Sequence, residues 1–294
     1  HGQMYNMGTL LRNGSREQKE RYLPGIAAGK LRIQSMAVTE PTTGTDTTRI
    51  KTTAVKSGDR YRVNGQKVWI SRVQHSDLMI LLARTTPLGE VKKKSEGMSI
   101  FIVDLHDAVG NGLSVRPIAN MVNHETNELF FDNLEIPAEN LIGQEGEGYK
   151  IALGGLEGGR IGIAAQSVGM ARSAFECAVD YAKQRDSFGQ PIFNHQAVGF
   201  RLAECATKIE AARQLIWHAA SLRDAGRPCL KEAAMAKLFA SEMAEQVCSA
   251  AIQTLGGYGY VSDFPVERIY RDVRVCQIYE GTSDIQKIII QRAL

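Results

Sequence analysis

Tyr61-Arg-Val-Asn64-Gly65-Gln-Lys-Val-Trp-Ile-Ser71 is the stretch whose reading decides the fold. Apolar and polar residues alternate along it with a period of two, which is the pattern of a strand with one buried face. Asn64-Gly65 is a turn signal, so the stretch predicts two strands, Tyr61–Asn64 and Lys67–Ser71, separated by a turn. The pattern continues outward through Leu78-Met-Ile-Leu-Leu82, Ser99-Ile-Phe-Ile-Val103 and Glu128-Leu-Phe-Phe131, with a further turn at Ser57-Gly-Asp59. Residues 35 to about 140 therefore read as an antiparallel β domain, and the Thr86–Gly97 loop with its Lys92-Lys-Lys94 run reads as a solvated connection.

The pattern changes on both sides of this region. Upstream, Ser15-Arg-Glu-Gln18 is a capping box ahead of a short helix predicted to end at Leu23-Pro24. A single short helix cannot form its own core, so residues 1–34 are expected to be a stub. Downstream of Gly148, apolar residues recur at i, i+3, i+4 and i+7, which predicts helices over roughly 148–185, 195–225, 229–255, 264–275 and 283–293. Gly189-Gln-Pro191, Gly226-Arg-Pro228 and Gly256-Gly-Tyr-Gly259 punctuate them, and long helices with short connections indicate an antiparallel bundle. The expected class is a multidomain α+β protein: a helical stub over 1–34, a barrel-like or sandwich-like antiparallel β domain over 35–145, and a bundle over 146–294.

Composition bounds the function. The 294 residues are 44% apolar and 23% charged with a formal net charge of +3, an ordinary globular balance that argues against a dedicated nucleic-acid binder. The longest apolar run, Leu78–Ala83, is far short of the ~20 residues of a membrane span. Five cysteines without a close pair fit neither a disulfide framework nor a zinc knot and read as buried helical thiols in a reducing compartment. The chain opens on His1 and reads as truncated at the front. Walker, GxSxG and GxGxxG motifs are absent. His124-Glu-Thr-Asn-Glu128 lacks the second histidine of a zinc helix, so no metal is expected.

Four segments carry chemistry, each with a plainer alternative. Thr39-Glu-Pro41 with Gly44-Thr-Asp46 places hydroxyls and backbone amides at a turn, suited to a polar ring edge or a phosphate, or is simply a turn. Trp69-Ile-Ser71 adds a flat face, or a core tryptophan beside a turn. Arg185-Asp-Ser-Phe-Gly189 puts a cation at a helix C-terminus, where a helix-end charge interaction is the commoner explanation. In Tyr279-Glu-Gly-Thr-Ser283 a carboxylate precedes a glycine, and Thr282 or Ser283 is predicted to cap the next helix with Gln286 completing a capping box.

Taken in order, Val38-Thr-Glu-Pro41 with Gly44-Thr-Asp46, Trp69-Ile-Ser71, Gly159-Arg160, Gln184-Arg185 with Phe188-Gly189, His195-Gln196, Gln253 through Gly257 and Tyr279-Glu-Gly-Thr-Ser283 resemble the acyl-CoA dehydrogenase family over essentially the whole chain. The resemblance implies a helical N-terminal domain, a central β domain and a four-helix bundle, with FAD between the last two. By matching position, Met36, Ala37, Val38, Thr39, Gly44 and Thr45 would hold the flavin, with Trp69, Ile70 and Ser71 on its other side. Arg185, Phe188, His195, Gln196, Gln253, Leu255, Gly256 and Gly257 would reach the adenosine half of an FAD bound by a neighbouring subunit, implying a dimer or tetramer. Thr282 and Ser283 would contact FAD again, while Thr45, Arg160, Tyr279 and Gly281 would meet an acyl-CoA substrate.

Glu280 matches the family's most common catalytic base, and the alternative position for that base is Gly159 here. The implied reaction removes the α-proton of an acyl thioester, passes the β-hydrogen to flavin N5 as hydride, and yields a trans-2-enoyl thioester. An electron-transferring flavoprotein is the implied acceptor. An acyl-CoA oxidase or flavin monooxygenase of the same fold, and a non-catalytic oligomeric scaffold, are the rival readings. Thr45 replaces a common serine, Thr42-Thr43 stands where a glycine is frequent, and about a hundred residues that usually precede this sequence are absent. The resemblance places such a protein in the cytoplasm of a bacterium or in the mitochondrial matrix.

Overall fold

The period-two segments form one sheet of eight strands. These are β1 (Ser35–Ala37), β2 (Thr53–Ser57), β3 (Arg60–Ser71), β4 (Leu78–Arg84), β5 (Met98–Asp104), β6 (Leu113–Ile118), β7 (Thr126–Pro137) and β8 (Leu141–Ile142), in the order β6-β7-β3-β2-β4-β5-β8 with β1 beside β4. The computed structural model describes residues 2–122 and 126–294, the side chains at 3, 4 and 155–157 excepted, so His124 lies outside the described residues. Neighbouring strands are antiparallel except at β4, which pairs in parallel with β1 from Ser35↔Met79 to Ala37↔Leu81 and with β2 at Thr53↔Arg84. Gly58-Asp59 makes the expected turn between β2 and β3.

Asn64-Gly65 is not a turn. β3 runs unbroken through it because β7, also 12 residues long, pairs with both halves, and the register slips between Val63 and Gly65. The dipeptide is a bulge. Gly65 has φ +146°, and a Cβ there would stand 2.5 Å from Thr52 Oγ1 and 2.7 Å from Thr52 Cα.

β4 buries all seven of its residues, so its apolar run is a strand covered on both faces. Met79, Leu81 and Ala83 join Tyr61, Phe101, Leu129 and Leu134 in one core, while Leu78, Ile80 and Leu82 join Ile100, Ile102, Leu10 and Tyr22 in another. Leu10 and Tyr22 come from α1 (Met7–Asn13) and α2 (Arg16–Ala27). The N-terminal region therefore contains two α-helices rather than one, preceded by a π-helical turn over Gly2–Asn6, and both α-helices share the core of the sheet. The Ser15–Gln18 capping box forms in both directions, and Gln18 Nε2 also donates to the carbonyls of Glu139 (2.7 Å) and Leu141 (2.8 Å), pinning the helix start beside β8. α2 continues past Pro24 to Ala27, because a proline so near the end removes a single hydrogen bond from the last turn.

Short 3-10 segments aside, the remaining elements are α3 (Leu105–Ala108), α4 (Gly148–Gln184), a hairpin of β9 (Asp186–Ser187) and β10 (Gln190–Pro191), α5 (Gln196–Asp224), α6 (Leu230–Leu255), α7 (Val266–Val273) and α8 (Ser283–Gln291). The chain divides into two compact units, residues 1–156 and 157–294. In the second, Leu202, Cys205, Ile209, Ala212, Ile216 and Ala219 line one face of α5 at alternating spacings of three and four. They share a core with Ala171, Ala174 and Ala178 of α4 and Ala233, Ala236 and Ala240 of α6, and such small side chains allow helices to approach closely. None of the five cysteines is in a disulfide; four are buried and Cys177 is half-buried.

One buried ion pair ties segment 38–43 to β3. Lys67, with a fully buried side chain, donates through Nζ to Glu40 Oε1 (2.9 Å) and to the Val38 carbonyl (2.8 Å). The Glu40 carboxylate also accepts the backbone N–H groups of Lys51 (2.6 Å) and Thr52 (2.9 Å). Burial works to raise the Glu40 carboxyl, but the Lys67 charge and these donors outweigh it and leave it below its usual value. Burial pushes the Lys67 amine down to about 8 against the pull of Glu40, so the pair is ionised at neutral pH. Such a pair holds when every polar atom is satisfied.

Gly65→Ala should lower stability by about 2–4 kcal/mol, since it adds a clash to an unfavourable φ, whereas Gly44→Ala, which meets nothing within 4 Å, should cost less than ~0.5 kcal/mol. Urea denaturation compares them. Lys67→Met alone should cost about 3–5 kcal/mol by stranding the carboxylate, and adding Glu40→Gln should recover part of that loss; a double variant as unstable as the sum of the singles would show the two residues to be uncoupled.

Candidate active site

In the first unit, the sequence-predicted residues fall on two adjacent pieces of backbone. The Val68 N–H donates to the Thr39 carbonyl (2.9 Å), and Glu40 and Thr43 exchange backbone hydrogen bonds (3.1 and 3.0 Å), so turn 39–43 is held against the end of β3. There the register slips again between Lys67 and Ile70, and Trp69 takes φ +62°. A left-handed tryptophan is a genuine outlier, and it costs of order 1–3 kcal/mol. The distortion keeps Val68 and Ile70 buried while leaving Trp69 62% exposed, so Trp69 is not a core residue. With Pro41, Val68, Arg116, Pro117, Ile118 and Glu128 it lines a cavity of about 410 Å³.

The other residues of this group differ in what they can offer. Met36, Val38, Thr39 and Ser71 are half-buried, and Gly44 and Thr45 are exposed. Ala37 and Ile70 point into the sheet core, so only their backbone could meet a ligand. Gly44 has an ordinary φ and open space where a Cβ would stand, so nothing in the chain requires glycine there.

The second unit holds two groups. In the first, Phe188-Gly189 forms the tip of the β9–β10 hairpin with φ of +50° and +80°, a two-residue turn in which both residues are left-handed. Phe188 is 96% exposed. His195, at the N-cap of α5, braces this hairpin: its Nε2 lies 3.0 Å from the Ser187 carbonyl and its ring meets Phe188 edge-on. Arg185 and Gln196 are exposed beside it. Tyr181, one turn before Arg185, packs on Tyr258 with ring centroids 6.1 Å apart, which brings the hairpin and segment 253–257 together. Within that segment Gln253, Gly256 and Gly257 are exposed, whereas Leu255 belongs to the helical core.

The second group surrounds Glu280. Glu280 has φ +54° and Gly281 φ +87°, and a Cβ on Gly281 would lie 2.7 Å from Gln286 Nε2. Thr282 caps α8 by accepting the Ile285 N–H (3.3 Å). Gln286 completes no capping box; one residue out of step for it, the side chain instead donates to the carbonyls of Gly281 (2.8 Å) and Glu280 (3.4 Å). Arg160 is buried, and burial pushes the Tyr279 phenol up, with Cys276 Sγ 3.6 Å from its oxygen. Ser283 Oγ is buried with no hydrogen-bond partner among the described residues. The arrangement is a half-buried carboxylate on a strained, tightly held loop.

Sequence reasoning missed Lys67, Lys237 and the role of Gln286. Lys237 donates from α6 to the Gly281 carbonyl at 2.7 Å with a completely buried residue. Its signal was its position: Ala233, Lys237, Ala240 and Ala244 share the apolar stripe of α6, and Lys67 likewise sits on the buried side of β3.

The comparisons agree with this layout. The family model for the acyl-CoA dehydrogenase middle domain matches residues 35–134, and that for the acyl-CoA dehydrogenase C-terminal domain matches residues 146–294. An acyl-CoA dehydrogenase of Bacillus subtilis is 46% identical over 286 residues, covering 97% of this chain and 74% of its own length. The human mitochondrial short-chain specific acyl-CoA dehydrogenase is 40% identical, with 97% of this chain and 68% of its own length covered. The butyryl-CoA dehydrogenase structure from Megasphaera elsdenii superposes with a TM-score of 0.90 at 38% identity, over 97% of this chain and 74% of that one. With both family models matched in order and this identity over nearly its full extent, the chain belongs to the acyl-CoA dehydrogenase family, FAD-dependent oxidoreductases that act on CH–CH groups.

Proposed function

We propose that this chain carries out α,β-dehydrogenation of an acyl-CoA thioester with Glu280 as the base and an electron-transferring flavoprotein as acceptor. The observation that carries the proposal is the Glu280 loop: an unfavourable backbone conformation held by buried donors at a carboxylate. Strain of this kind persists where surrounding structure over-determines it, and it concentrates at functional sites. An α-proton of a thioester is weakly acidic, so its removal needs a carboxylate in a poorly hydrated setting and donors for the developing negative charge on the thioester oxygen. The Glu280 carboxylate takes that proton, with Arg160, Tyr279 and Gly281 of the same unit proposed to orient the acyl-CoA. FAD, when bound, accepts the β-hydrogen with its electron pair.

The residues fit the cofactor on three observations. The Trp69 ring offers an exposed flat face, Ser283 Oγ is a buried hydroxyl still lacking a partner among the described residues, and Gly44 and Gly257 leave open space without being required by the chain. In the first unit Met36–Thr39, Gly44, Thr45 and Trp69–Ser71 would hold the flavin portion, and in the second Thr282 and Ser283 would offer the cofactor hydroxyls. Arg185, Phe188, His195, Gln196, Gln253 and Leu255–Gly257 would reach the adenosine portion of an FAD in a neighbouring subunit of a homo-oligomer. The fully exposed Phe188 supports this, since the fold gains nothing from a left-handed aromatic in water.

The acceptor is proposed from relatives. Subunit CarC of the caffeyl-CoA reductase-Etf complex of Acetobacterium woodii is 41% identical, and an acryloyl-CoA reductase (NADH) of Anaerotignum propionicum is 42% identical. Those names favour a second reading in which the same residues run the reaction towards the saturated thioester, with Glu280 returning the proton.

The purified protein should show flavin absorption that bleaches on anaerobic addition of one class of acyl-CoA. Glu280→Gln should slow the bleaching by about 10²–10⁴-fold while retaining FAD. Bleaching of that variant at the wild-type rate would remove Glu280 as base, and a colourless oligomer unable to take up FAD would overturn the proposed function. Rapid reoxidation by O₂ would replace the flavoprotein acceptor by oxygen.

A further inference from the structure

Lys237 is an expensive residue to place in an alanine-lined helical core. Its relative exposure is 0%, and Ala233, Ala236 and Ala240 of the same helix are equally buried. A buried ammonium costs several kcal/mol unless it is paired or hydrogen-bonded, and the packing of α6 would accept a methionine of similar length. The group is used at one place in the described contacts: Nζ donates to the Gly281 carbonyl at 2.7 Å, beside Gln286 Nε2 at 2.8 Å. Gln286 also reaches the Glu280 carbonyl. Peptide groups are planar, so fixing these two successive carbonyls fixes the planes on both sides of Gly281 and the backbone from which the Glu280 side chain departs.

We propose that Lys237 is a positioning residue for the base: its hydrogen bond to the Gly281 carbonyl keeps Glu280 in the left-handed conformation, and its buried positive charge keeps the Glu280 carboxylate ionised. This rests on the reading of Glu280 as the base. Around this pair, Arg160 comes from α4, Glu242 from α6, and Cys276 and Tyr279 from the segment before the loop. On α8 the buried neighbour is the neutral Gln286, while Asp284 and Lys287 are exposed and paired with each other. Burial pushes the Lys237 amine down to about 8, with the charges of Cys276 and Glu280 acting to raise it and that of Arg160 to lower it. The cation is therefore retained at neutral pH, one residue along the backbone from Glu280, whose charge acts in turn to hold it.

The test is a pH titration of the FAD-containing protein by infrared difference spectroscopy, wild type against Glu280→Gln, which reads the protonation of Glu280 without turnover. Lys237→Met should raise the midpoint by about one pH unit or more. It should also slow anaerobic flavin reduction at neutral pH, with the rate recovering as pH rises and FAD content unchanged. Lys237→Gln, which retains a donor towards Gly281, serves if the methionine variant fails to fold, and it should show the same upward midpoint shift. A Glu280 midpoint and reduction rate unchanged in a folded Lys237 variant would overturn the inference, provided Glu280→Gln is inactive. An active Glu280→Gln would overturn the base assignment itself.

Discussion

The Lys67–Glu40 ion pair is the constraint on which the first unit's candidate site depends. A buried ammonium and a buried carboxylate cannot be separated without leaving an uncompensated charge in a low-dielectric interior, so β3 and segment 38–43 behave as one body. Thr39 lies between the two residues whose oxygen atoms Lys67 holds, Val38 and Glu40. Its carbonyl is taken by the Val68 N–H. The turn thus has little freedom, and the neighbouring Trp69 can be kept in a conformation that β3 alone would not adopt.

A second theme is where the chain stores strain. Trp69, Phe188 and Glu280 are all left-handed without being glycine, and each is at least partly accessible. Each also has a dedicated support: the pinned turn beside Trp69, the His195 brace behind Phe188, and Lys237 with Gln286 behind Glu280. Conformational cost at a residue that contributes little to a core must be met by contacts elsewhere. The supports are polar and mostly buried, while the strained side chains themselves point outward or sit half-out. This is the distribution expected when the strained residues face a ligand or another chain.

Buried lysine appears in both units in the same capacity. Lys67 and Lys237 each emerge from a regular element, a strand in one case and a helix in the other, and each ends on a backbone carbonyl of an irregular segment. A long flexible stem with a compact charged tip suits this task, because it spans from a rigid scaffold to a loop and presents several donors at one point.

Much of this was readable from the residues in order. The periods of two and 3.6, the capping box at Ser15, the turn at Gly58-Asp59 and the helix limits are local properties, set by backbone sterics and by which faces must leave water, and they stand in the sequence within a few residues. The spaced segments from Val38 to Ser283 were legible for a similar reason: they resemble a family's segments in order, and order is a property of the chain. What the sequence could not decide involves partners far apart along it. Asn64-Gly65 is a bulge only because β7 continues opposite, and β1 pairs in parallel with β4 along the edge that β2, which meets β4 only at Thr53↔Arg84, leaves with backbone groups to satisfy. Trp69 is exposed through a register slip that no local pattern announces. The roles of Lys67, Lys237 and Gln286 depend on which carbonyl each reaches. Local sterics select the elements; the pairing of buried polar groups, which requires the tertiary structure, selects how the irregular segments between them are held.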